Sequence, residues 1–224
     1  MFPDLSRNPY YPFLKAYFFG LIFFSLSRLG LIFSQLDAVT ATDKFLDVLL
    51  QGIRVDMIQL GLVFLLPLLI FPLSFINGQT KHMYHPFLRF WIILGFIILF
   101  IIEACSITFI NEYNTRPNVL FLEYLKYPRE VFEMLFKGFT LDAILVIGSV
   151  LLVSRLIIVA FRGQNKIEYK LMHLVMWPII LVLMLISIRS SFGHRPANPA
   201  MFAITDNAMV NSLVLNSPYS VFCF

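Results

Sequence analysis

The sequence holds 224 residues, 59% of them hydrophobic and only 13% charged, with a formal charge of +4 at pH 7. A soluble domain carries about 45–50% apolar and about 25% charged residues, so this composition excludes an ordinary globular domain and fits a chain whose outer surface meets lipid. No basic stripe is interleaved with aromatics in the manner that tracks a phosphate backbone, which argues against nucleic acid as a partner.

A spanning helix needs about 20 mostly apolar residues. Five stretches qualify, over residues 13–34, 57–76, 90–110, 139–161 and 171–188. The first is too long for the apolar region of a signal peptide and reads as a retained span. Pro67 and Pro72 interrupt the second and Pro178 the fifth; neighbouring helices can satisfy the carbonyls that proline frees, so kinks are expected there. The expected fold is all-α: a polytopic membrane bundle of about five transmembrane helices over residues 1–188, followed by an outer segment, 189–224. Cys105 and Cys223 are expected to be unpaired thiols, since two cysteines make no disulfide framework.

Basic residues near span ends set orientation. With the N-terminus inside, eight Lys and Arg fall on each side, so their number alone does not decide. The proposed inner loops are short and basic, as over Arg162 to Lys170, whereas most acids, among them Asp37, Asp43, Asp47 and Glu112, fall outside. This favours N-terminus in and C-terminus out.

Between spans three and four, charges recur at Glu123, Lys126, Glu130, Glu133 and Lys137. Intervals of three and four place them on one helical face. Residues 118–137 are therefore expected to form an amphipathic helix lying at the outer interface.

Charges inside spans are usually paired or near water. Arg28 lies in span one and Glu103 in span three, both about 10 Å below the outer end at 1.5 Å per residue. Their matched depth predicts an intramembrane Arg28–Glu103 ion pair, either pinning the bundle or lining a polar cavity. At the outer entrance to span two stands Gly52-Ile53-Arg54-Val55-Asp56. Arg54 and Asp56 point in different directions on a helix, so each needs its own partner, or Arg54 grips a phosphate. His82 and His85 lack acidic or cysteine companions, so no metal site is expected there. No phosphate loop, nucleophile elbow or zinc-protease motif occurs. No residue is assigned as catalytic, and the chain alone is not expected to be an enzyme.

Three stretches carry a resemblance: Gly52-Ile-Arg-Val-Asp56; Thr115-Arg-Pro-Asn-Val-Leu-Phe-Leu-Glu-Tyr-Leu-Lys-Tyr-Pro-Arg-Glu-Val131; and Arg189-Ser-Ser-Phe-Gly-His-Arg-Pro-Ala-Asn-Pro-Ala200, continuing through Asn211-Ser-Leu-Val-Leu-Asn-Ser-Pro-Tyr-Ser220. Together they resemble the membrane portion of lipoteichoic acid synthase-like phosphoglycerol transferases, of the alkaline phosphatase (sulfatase) superfamily. The resemblance implies a bacterial cytoplasmic membrane location and an outer catalytic domain of sulfatase fold. That domain, with a threonine nucleophile and a divalent metal, commonly manganese, would move phosphoglycerol from an anionic phospholipid donor to an envelope acceptor. It also implies that this chain is a fragment or truncated form lacking that domain, holds no cofactor itself, and leaves residues 189–224 as a poorly packed linker. Arg54, Asp56, Arg116, Glu123 and Arg195 are the expected headgroup-facing or domain-coupling residues. The rival readings are a small transporter or flippase, a stand-alone membrane scaffold, and the anchor of a phosphoethanolamine transferase.

Overall fold

A computed structural model describes residues 7–124, 126–127, 129, 133, 140–161, 167–191, 194 and 197–222. Among them all regular structure is helical. In chain order the helices are α1 (Tyr11–Ser34), α2 (Leu36–Thr42), α3 (Phe45–Ile70), α4 (Gly78–Ala104), α5 (Ser106–Tyr113), α6 (Val119–Tyr124), α7 (Thr140–Ala160), α8 (Leu171–Arg189), α9 (Ala208–Val214) and α10 (Ser217–Phe222). Short 3-10 turns follow α3, at Phe71–Phe75, and precede α9, at Pro199–Phe202. Four stretches are long and apolar enough to cross a membrane: Tyr11–Ser34, Phe45–Phe75, Gly78–Tyr113 and Leu171–Arg189. The apolar part of α7, Ile144–Ala160, is shorter. The chain is thus a helical, multi-pass membrane protein.

Two helices begin well before the stretches that composition marks as apolar. α3 starts at Phe45 and α4 at Gly78, twelve residues ahead of 57 and of 90. For α4 the reason is a cap: Asn77 Oδ1 accepts from the Thr80 amide at 2.7 Å while the Thr80 hydroxyl receives the Asn77 amide at 3.2 Å. This reciprocal capping box satisfies two amides that a helix start leaves open. α2 and α5 end on Asp43 and Asn114, each at φ 53°, a left-handed conformation that Asp and Asn tolerate better than most side chains.

α3 is the central helix, packed against α1, α8 and α9, while α7 packs on α4. Two glycines set these approaches. A Cβ on Gly20 of α1 would lie 2.4 Å from Leu60 of α3, and one on Gly61 would lie 2.6 Å from Ile188 of α8. Where the three helices meet, the Tyr17 hydroxyl bonds Ser187 Oγ at 2.8 Å and Met57 O at 3.3 Å. One apolar cluster, rich in Phe13, Phe64, Phe71, Tyr84 and Phe96, fills the proximal half, where α1 begins. A second cluster fills the distal end, where α1 ends and α3 begins. It joins Leu31, Val48, Val55 and Ile110 to Phe202, Leu213 and Tyr219 from beyond the last span.

The carbonyls freed by Pro67 in α3 and by Pro72 in the turn after it have specific partners. Pro67 and Pro72 have no N–H, so the carbonyls four residues back, Val63 and Leu68, lose their helical donors. Trp91 Nε1 of α4 donates to Val63 O, and Trp177 Nε1 of α8 donates to Leu68 O, both at 2.8 Å. These are the chain's two tryptophans. The neighbouring helices therefore repair the carbonyls freed in span two, as the sequence predicts. Trp91→Phe should destabilise the protein by about 1 kcal/mol, the scale of interhelical hydrogen bonds in membranes. The loss should shrink in a Pro67→Ala background, where the helix supplies its own donor. Unfolding of the four variants in detergent measures this; equal losses in both backgrounds would refute the repair.

Candidate functional site

The distal end holds four charged side chains that lipid-facing helices would not be expected to carry. Arg28 is 1% exposed, Asp56 0%, Glu103 4% and Arg116 1%. Arg28 of α1 grips Asp56 of α3 with both ends of its guanidinium: Nη1 to Oδ2 at 2.8 Å and Nη2 to Oδ1 at 2.7 Å. Its remaining donors are also used, Nη2 on Gly52 O and Nε on Leu213 O, each at 3.2 Å. Gly52 is required here because a Cβ would fall 2.3 Å from the Arg28 guanidinium carbon. Arg116, between α5 and α6, donates Nη1 to Glu103 Oε1 of α4 at 2.6 Å.

The two pairs are joined by consecutive residues at the start of α10. Asn216 Nδ2 donates to Asp56 Oδ1 at 2.9 Å, and the Ser217 amide donates to Glu103 Oε2 at 2.9 Å. Ser27 Oγ donates to Glu103 Oε1 at 2.7 Å, Arg116 Nη1 also reaches Ser217 Oγ at 3.1 Å, and the Ser106 and Ser217 hydroxyls bond each other. Asn216 Oδ1 in turn accepts the Tyr219 amide at 2.9 Å, capping α10. Two positive and two negative charges from four parts of the chain thus form one neutral quartet, hydrogen-bonded together by a fifth, Asn216–Ser217. This satisfies the requirement that a buried charge be both paired and hydrogen-bonded.

The structure corrects the expected Arg28–Glu103 ion pair. Both residues are deep and both are paired, but with Asp56 and Arg116 respectively. The reason is the early start of α3: Asp56 lies eleven residues inside that helix, not at its entrance, and so stands beside α1 within reach of Arg28. Asp56 and Arg116 are consequently buried and do not face headgroups. Arg54 is half-buried and couples α3 to the chain leaving α8: Nη2 donates to Ser190 O at 2.6 Å, Nη1 to Gln51 Oε1 at 2.6 Å, and its guanidinium lies over the Phe202 ring. Glu123 is exposed on α6 and takes no part in the quartet. Arg195 lies outside the described residues, as do Cys223 and most of the expected amphipathic helix beyond Tyr124. Cys105 is a free thiol.

The expectation of a poorly packed segment after the last span also fails. Val210, Leu213 and Val214 are 0% exposed and Tyr219 is 1%, because the apolar side chains of α9 and α10 complete the distal cluster while Asn207 and Asn216 cap their helices. Asn216 and Ser217 are the site residues that sequence reasoning overlooked. The signal was present in Asn216-Ser217-Pro218, a capping residue with proline just inside a helix start.

Among the described residues no group of three or more His, Cys, Asp or Glu side chains is placed to hold a metal ion. The acids of the quartet are saturated by arginine, asparagine, serine and amide donors, so they do not fit a divalent metal. No protein family and no solved structure matches this chain.

The two arginines differ in how they are used. Arg28 employs Nε, Nη1 and Nη2, whereas Arg116 bonds through Nη1 alone and keeps Nε and Nη2 buried without partners among the described residues. Arg28→Lys should therefore cost about 2–4 kcal/mol, since an ammonium cannot reproduce a bidentate fork. Arg116→Lys should cost under about 1 kcal/mol, as one point donor replaces another and two unpaired donors vanish. Thermal or denaturant unfolding of both variants checks the order, and a reversed ranking would overturn the geometry. Double-mutant cycles should likewise give coupling of about 1–3 kcal/mol for Arg28–Asp56 and less for Arg28–Glu103.

Proposed function

We propose that this chain is the membrane domain of an envelope phosphoglycerol transferase of the lipoteichoic acid synthase-like kind. In this reading it sits in the bacterial cytoplasmic membrane, N-terminus inside, with the distal end facing out. Its work is to anchor and orient a sulfatase-fold domain close to the lipid headgroups from which phosphoglycerol is drawn. Any divalent metal, manganese by the resemblance, belongs to that domain.

One observation carries the reading. The three stretches that resemble the family are far apart in sequence, yet each contributes to one buried assembly: Gly52 and Asp56 from the first, Arg116 from the second, Asn216 and Ser217 from the third. Arg54 adds a contact to Ser190 within the third stretch. A tether that must hold an attached domain at a set height needs its exit segment fixed to the helices, and this network does that. The transporter reading has less support, because the deep charges are spent on one another and on the capping segment.

The assay is phosphoglycerol transfer by the product of the complete gene, supplied with phosphatidylglycerol vesicles and Mn²⁺. Diacylglycerol release is expected, together with a phosphoglycerol ester on the acceptor. Asn216→Leu should lower the rate several-fold at unchanged membrane level, by loosening the exit segment. Release from phosphatidylethanolamine instead would assign the ethanolamine class, and release from neither lipid would end the transferase reading.

A further inference from the structure

A cavity of about 580 Å³ opens at the proximal end between the starts of α1 and α4 and the end of α7. Its lining changes character along one stripe of α4. His82, His85 and Arg89 recur at intervals of three and four and so share a helical face, which continues one turn later as Ile92 and Ile93. The polarity boundary of α4 falls at Arg89: between Phe90 and Ile102 the helix carries no charged residue. Pro12, Leu88 and Phe161 complete an apolar floor.

The rim presents one cation, Arg89, beside the two imidazoles. Among the described residues no Asp or Glu lines the cavity, and Arg89 is exposed and makes no ion pair. Lys15, over the Phe161 ring at 5.2 Å, is committed to the Ala160 carbonyl at the end of α7. His85 holds the Tyr169 hydroxyl at 3.0 Å. A groove with an arginine and two imidazoles at one end and an apolar floor at the other, straddling the polarity boundary of a spanning helix, matches the layout of one ligand class, an amphiphile with an anionic head.

We propose that this groove is a specific site for one anionic phospholipid of the proximal leaflet. Its phosphate sits against Arg89, with His82 above, and one acyl chain runs along Ile92, Ile93 and Phe161. Arginine can meet a phosphate with two parallel hydrogen bonds, and its aliphatic stem can lie along the apolar part of the same groove. The site lies at the opposite end of the bundle from the charge quartet and stands independently of the transferase reading.

The test is native mass spectrometry of the purified full chain in detergent with equimolar phosphatidylglycerol and phosphatidylcholine. Wild type should retain one phosphatidylglycerol in preference, and the double variant Arg89→Gln/His82→Gln should lose about tenfold of that preference. Lys44→Gln, at the distal end, should not. Should the double variant fail to fold, wild type carries a second measurement: phosphatidylglycerol with a photoreactive acyl chain should label the peptides containing Ile92–Ile93 or Phe161. Equal retention of the two lipids by wild type, undiminished preference in a folded double variant, or labelling spread evenly over exposed Ile179 and Leu183 of α8 would each overturn the proposal.

Discussion

A guanidinium withdrawn from water inside an apolar bundle is tolerable only when its counter-charge and hydrogen bonds are all within reach, and the distal half of this protein is arranged around that requirement. Arg28 needs a carboxylate with two oxygens in plane, and only a helix packed directly beside α1 can present one at that depth. α3 does so with Asp56, and Gly52, one turn earlier, leaves room for the guanidinium. Breaking one partner of such a pair costs about 3–5 kcal/mol because the other is stranded, so the pair fixes the register of α1 on α3. The second pair then fixes α4 through Glu103 and the crossing after α5 through Arg116.

These pairs are completed from the far end of the sequence. Arg28 and the Leu213 carbonyl are 185 residues apart, and Asp56 and Asn216 are 160 apart. Such contacts form late, because closing long loops takes entropy before the contact repays it. The helices thus have local reasons to form, in their apolar runs and caps, whereas the distal end is completed by contacts from α9 and α10. Packing and electrostatics act together there: Leu213 and Val214 enter the apolar cluster as Asn216 and Ser217 reach the two acids.

Much of the bundle was legible from hydropathy, because twenty-residue apolar runs have few alternatives in a membrane protein. The depth of Arg28 and Glu103 was legible for the same reason. What hydropathy cannot convey is the part of a helix that is polar yet still helical. Residues 45–56 and 78–89 are that part, and reading α3 from 57 placed Asp56 at a surface when it belongs to the interior. The packing of 197–222 was illegible for a related reason. Its segments are too short to register as spans, and their burial depends on an existing platform to dock upon. Buried asparagine and serine beside known charges are the residues most easily mistaken for linker.

The two tryptophans give the molecule a property unconnected with its chemistry. Trp91 and Trp177 come from different helices, yet both indoles rest on carbonyls of α3, little more than one turn apart. Tryptophan emission from this protein therefore samples a single place, the proline-bearing C-terminal part of its central helix, from two neighbouring helices. A shift in that part of α3 alters both chromophores together. The chain carries its own optical gauge, and what it gauges is the seating of the end of α3 between its two neighbours.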